Sequence, residues 1–238
     1  MECAVQRLGD MTRCALLALA LAACSTAHGE DQPALARPDV VRERMRQQFN
    51  DLRDIEGMLL DGKLEDAKAR AFFLTKQADD PGLASLAAQS QAVTDAATAL
   101  GEARNIPEAC RRMAKVAGTC ASCHVHFPKP LRPPPEREPE TTPQARPDRV
   151  QLHAAATDKL FEGAVLGDLR RWREGVEALT ASTVPGRADL ARRLQDRAQG
   201  ALAEIQSGSS TAESRAAVYG EMLVTCAECH AAQVVSRR

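Results

Sequence analysis

Apolar positions recur along this chain at intervals of three and four, the spacing that lines one face of an α-helix. Val41, Met45, Phe49, Leu52, Ile55 and Leu59 form the first such stripe, and Gly62 closes it. A second helix is predicted from about Leu64 to Gln77, stopped by the turn composition Asp79-Asp80-Pro81-Gly82. Leu86, Ser90, Val93, Ala97 and Leu100 mark a third. Pro107 suits the first turn of a fourth helix, which sets Cys110, Met113, Ala117, Cys120 and His124 on one face. Beyond residue 147 four more stripes follow: Val150, His153, Thr157, Leu160 and Ala164; then Leu169, Trp172, Val176 and Leu179. The last two are Leu190, Leu194, Ala198, Ala201 and Ile205, and Ala216, Tyr219, Leu223, Cys226 and His230. Nothing alternates with period two for long enough to suggest a sheet. The predicted fold class is all-α, as two tandem four-helix up-down-up-down bundles.

What separates the two sets of helices is a run rich in proline. Eight of the twenty residues from Pro128 to Pro147 are proline, which no helix or interior strand tolerates, so an extended, semi-rigid spacer is predicted. The pieces on either side, 38–127 and 148–238, repeat each other. Met58-Leu59-Leu60-Asp61-Gly62-Lys63-Leu64 matches Ala164-Val165-Leu166-Gly167-Asp168-Leu169 loosely. Cys120-Ala121-Ser122-Cys123-His124 matches Cys226-Ala227-Glu228-Cys229-His230 sharply, 106 positions later. The pattern is that of a tandem duplication.

The first residues read as an address rather than as fold. Arg13 precedes an apolar stretch from Ala15 that ends in small residues at Ala22-Ala23-Cys24, too short to span a bilayer. Residues 1–23 are therefore expected to be a signal peptide, with Met11 as a plausible start, and 24–37 a tether. Leu21-Ala22-Ala23-Cys24 resembles the bacterial lipoprotein cleavage box, which implies a lipid on the Cys24 thiol. Ser25 in the following position leans the resemblance toward an outer-membrane anchor. The plainer alternative is an ordinary signal with an incidental cysteine. Either way the mature chain is expected outside the cytoplasm, periplasmic and in oxidising surroundings.

Composition narrows the function classes. Thirty-one basic and 32 acidic side chains leave a formal charge of -1, so no global basic field recruits nucleic acid. Aromatics make up only 3% of the chain, little bulk for two small cores, so an additional filler is expected. No Ser-His-Asp, paired-carboxylate or phosphate-loop pattern stands out.

Cys-x-x-Cys-His supplies both the filler and the chemistry, because it is the attachment signal for c-type haem. On a helix, Cys120 and Cys123 lie one turn apart, so both thiols can add to the two vinyl groups of one porphyrin. His124 follows closely enough to take the iron axially. Cys226, Cys229 and His230 repeat the arrangement, and two covalently bound haem c groups are expected. The bland readings are a pair of disulfides or a zinc site, but zinc usually takes four protein ligands and each motif offers three.

A four-helix bundle with its haem motif near the end of the last helix resembles the class II cytochromes c, the cytochrome c-prime type. Gly118-Thr119-Cys120-Ala121-Ser122-Cys123-His124-Val125-His126-Phe127 is similar to that family's closing motif. The resemblance implies that His124, and by the repeat His230, is the proximal iron ligand. It covers both repeats in architecture and is specific around the two motifs.

Antiparallel first and fourth helices set each motif against the start of the first. That stretch holds Met45 and Gln48 in one repeat and His153 in the other, and aligning Gly62 with Gly167 places His153 against Gln48. His153 is expected as the distal ligand of a bis-His iron in the second repeat. In the first, either Met45 ligates or the position is open. A Met ligand raises reduction potential relative to His, which would place the first haem above the second. As fillers, Met45 would be core and His153 a helix-face side chain. His126 cannot reach the iron of its neighbour His124, and Cys110, whose counterpart is Ala216, reads as a small buried residue. His28 falls in the tether. Trp172 and Tyr219 read as packing, and Arg170, Arg171 and Arg173 as a solvated face with some capacity to dock an acidic partner.

The expected function is one-electron transfer between redox protein partners by a membrane-tethered dihaem carrier rather than an enzyme. The alternative is a cytochrome that binds or senses a small gas ligand, NO or CO, at an open sixth site in the first repeat. A dihaem peroxidase is a third reading, disfavoured because that family carries longer domains of a different class.

Overall fold

A computed structural model describes residues 38–76, 86–125, 149–181 and 187–236. The signal and tether segments, the Asp79–Gly82 turn, His126 and the proline-rich spacer, and with them Cys24, His28 and the 128–147 boundary, lie outside the described residues. Among those described, the chain is all-helical: eight helices and no strand. They run α1 Pro38–Leu60, α2 Leu64–Thr75, α3 Ala87–Gly101, α4 Ile106–His124, α5 Arg149–Leu166, α6 Leu169–Ala181, α7 Ala188–Ser207 and α8 Ala212–Ser236.

Local chemistry sets the boundaries. Gly62 and Gly167 sit at φ +74° and +69° in the turns after α1 and α5, a left-handed backbone that favours glycine, so the loosely matched segments share one turn conformation. Asn105 caps α4, its side chain accepting from the Glu108 N–H, and Pro107 occupies the first turn. Gly208, at φ +73°, terminates α7.

The stripes face inward for most of their length. Leu52, Ile55 and Leu59 of α1, Met113 and Ala117 of α4, and Leu190, Leu194, Ala198, Ala201 and Ile205 of α7 are buried. Leu169 is the exception, exposed at the start of α6. Within residues 38–125 each helix packs on its sequence neighbour, and α1 returns to α4. Within 149–236 the same holds, with α5 returning to α8.

All eight helices belong to one compact unit, and the most extensive pairing, α4 with α8, joins the two repeats. Small side chains make that approach possible. A Cβ on Gly118 would lie 2.7 Å from that of Ala216, and one on Gly220 2.9 Å from that of Ala114. The pairs 118–216 and 114–220 run in opposite directions along the two helices, so α4 and α8 cross antiparallel. A second contact between repeats joins α1 and α5: Phe49 meets Phe161 edge-on, ring centroids 5.1 Å apart. The Arg53 guanidinium lies over both rings and bonds Asp158.

Arg53 and Asp158 are equivalent under the Gly62/Gly167 alignment, and Ala114 and Gly220 under the motif alignment. Contact between equivalent positions is what an approximate two-fold relation between the two matched segments would produce.

Candidate functional site

α4 ends at the first motif because Cys120, Cys123 and His124 occupy its last turn and a half. Cys120, Cys123 and His124 are half-buried, and together they line one wall of a cavity of about 610 Å³. Met45 and Gln48 of α1, Leu86 at the start of α3 and Val93 within it line the same cavity. The structure therefore brings Met45 to the same cavity as the motif. It also places Gln48 there, at the position where the second repeat has His153.

The His124 ring is anchored from the other repeat. Its Nδ1 lies 3.1 Å from the Val165 carbonyl in the last turn of α5. A carbonyl only accepts, so Nδ1 carries the proton and the neutral ring keeps its lone pair on Nε2. Burial pushes the imidazole pKa down, and the carbonyl partly opposes that shift. The neutral, Nδ1-protonated form is the one that ligates a metal through Nε2.

The thiols are protonated. Burial pushes Cys120 up to about 12, with Cys123 adding to the effect, and raises Cys123 as well. Thiols of this kind are poor thiolate nucleophiles, unlike those of Cys-x-x-Cys redox motifs. Among the described residues no disulfide joins the cysteines, and Cys110 is wholly buried on α4.

At the second motif, Cys226, Cys229 and His230 occupy α8, with burial pushing Cys226 up to about 12. His153 of α5 lies near His230: burial depresses the His153 pKa first, and the facing imidazole lowers it further. Its Nδ1 is buried with no hydrogen-bond partner among the described residues. A buried ring nitrogen without a hydrogen-bond partner is chemically able to take a ligand role.

One buried group escaped the sequence reading. Glu56 on α1 accepts a 2.5 Å hydrogen bond from the Tyr219 hydroxyl of α8, and its field reaches Cys226. Burial lifts the Glu56 pKa to about 7, against the opposing pull of that hydrogen bond and of Arg53. The stripe of α1 gave no sign of it, because its burial depends on a helix of the other repeat. Among the described residues, no three His, Cys, Asp or Glu side chains converge as a metal-holding group.

No protein-family model, curated protein or solved structure matches this chain.

Proposed function

We propose that this chain is an exported, lipid-anchored dihaem c-type cytochrome that carries single electrons between redox protein partners. The observation that carries the reading is the first motif's place on the wall of a cavity of about 610 Å³, which Met45 also lines. The lining fits a porphyrin: apolar side chains from α1 and α3, two protonated thiols one turn apart, and an imidazole with its lone pair on Nε2. A bound haem would supply one reversible electron at its iron.

In this reading Cys120 and Cys123 hold the first haem and His124 is its proximal ligand. Cys226, Cys229 and His230 do the same for the second, and the unpartnered Nδ1 of His153 supports its role as distal ligand there. Each set of four helices, closing first on fourth, would form a bundle of the class II cytochrome c kind around its porphyrin. The proline-rich spacer would join the two bundles, and Cys24 would carry the lipid that tethers them at the outer membrane, on its periplasmic side. Apolar side chains such as Met45, Leu86 and Val93 would shield part of a bound haem from water.

A second reading rests on Gln48, which stands in the first cavity where the other repeat has His153. If Met45 does not ligate, the first site is open to a diatomic gas. Optical spectra of the reduced protein under CO separate the two readings. Electron transfer with both sites six-coordinate predicts low-spin bands unmoved by CO, and a CO-induced shift in half of the haem absorbance supports gas binding. His153→Ala is expected to convert one haem to a CO-binding form, and an unchanged spectrum in that variant would remove His153 from the ligand set.

A further inference from the structure

The His124 imidazole is held by a turn from the other repeat. Val165 is in the last turn of α5, where carbonyls have no intrahelical partner, and its oxygen serves His124 Nδ1 instead. Two residues on, Gly167 adopts φ +69° and lies against α4, where a Cβ would meet Val125 Cγ1 at 2.9 Å and the Ala121 carbonyl at 3.1 Å. The turn thus abuts the last residues of the first motif's helix.

A buried arginine fixes that turn. Arg215 of α8 is 4% exposed, and its two terminal nitrogens donate to the Gly167 carbonyl at 3.2 Å and the Ser210 carbonyl at 3.3 Å. Its Nε is buried without a partner among the described residues. Burying a guanidinium whose hydrogen bonds go only to carbonyls is costly. The feature gained is a turn tied to α8 at the point where it abuts α4. Asp168, the next residue, adds a carboxylate in the field of the same guanidinium.

We propose that Arg215, through the Gly167 turn and the Val165 carbonyl, is a positioning residue for the His124 imidazole, so that the second repeat sets the electronic character of the first haem's iron. The inference rests on the haem reading above. A carbonyl on Nδ1–H fixes the ring orientation and makes Nε2 more electron-rich, and the greater donation would favour the ferric state of a bound haem.

The experiment is potentiometric titration of the full, haem-loaded protein, with covalent haem counted first and the His124 Nδ1–H followed by NMR in the reduced state. Arg215→Met removes the clamp and keeps an apolar stem, Gly167→Ala displaces the turn directly, and Arg215→Lys retains a donor. With two haems attached, Arg215→Met and Gly167→Ala are expected to raise one of the two reduction waves by about a tenfold change in the ferric-to-ferrous balance, ~59 mV for one electron. The other wave stays in place, the Nδ1–H exchanges faster, and Arg215→Lys returns most of the shift. Unmoved waves in both variants, or an equal movement of both waves, would overturn the positioning role. An unsubstituted protein without covalent haem would instead overturn the reading beneath it, and the haem count detects that before any titration.

Discussion

Glu56 and Tyr219 make a buried acid–phenol pair between repeats, and its consequence is a pH-dependent stability. Glu56 has an ordinary pKa of 4.5 that burial raises to about 7 in the fold, so the folded state binds the proton more tightly than the unfolded chain. Its contribution is complete below about pH 4.5 and is lost as pH rises through about 7, on the order of 3 kcal/mol for a shift of this size. Denaturant titrations of the parent are expected to show that decline between about pH 4.5 and 7. Glu56→Gln should flatten it, and an equal slope in that variant would assign the dependence to another group. Because the Tyr219 hydroxyl holds the Glu56 pKa down, Tyr219→Phe should move the decline to higher pH. The motif residues were legible in the sequence because their chemistry depends on local spacing. Glu56 was not, since its partner lies on a helix 163 positions away.

Among the helices, the sequence stripes located each described element, and the turn glycines at 62 and 167 closed α1 and α5 as expected. What the periodicity missed is the second buried face of α5. Leu160, Phe161, Glu162, Ala164 and Val165 are all buried, because α5 packs against its own repeat on one side and against α1 and α4 on the other. A single stripe encodes one partner, and a helix with two loses its clear periodicity. Glycine positions test this packing. A Cβ on Gly175 would come within 2.8 Å of the Leu160 backbone nitrogen and 3.0 Å of the Ala156 carbonyl, atoms that cannot step aside. Gly175→Ala is expected to cost about 1–3 kcal/mol. Gly200, on the exposed side of α7, faces open space, and Gly200→Ala should stabilise by about 0.5–1 kcal/mol. Chemical denaturation reads both, and equal effects at the two sites would contradict the α5–α6 contact.

Taken whole, the molecule was read from its sequence as two four-helix repeats whose relative placement stayed open, and its described helices form one compact unit with α4 against α8. That interface was hidden because it is made by small residues: Ala114, Gly118, Ala216 and Gly220 carry almost no hydropathy signal, yet they let two backbones meet. Calorimetry of the intact chain is therefore expected to show one cooperative transition, whereas two well-separated transitions would mean that the repeats unfold independently. On the haem reading, so few aromatics would suffice because a porphyrin would supply the missing apolar bulk. That reading's direct measurement is a pyridine haemochrome assay combined with intact mass on protein matured by a host with cytochrome c attachment machinery. The account predicts two covalent haems per chain, added through the cysteines of both motifs. Colourless protein at the mass of the bare polypeptide, lipidated or not, would contradict it.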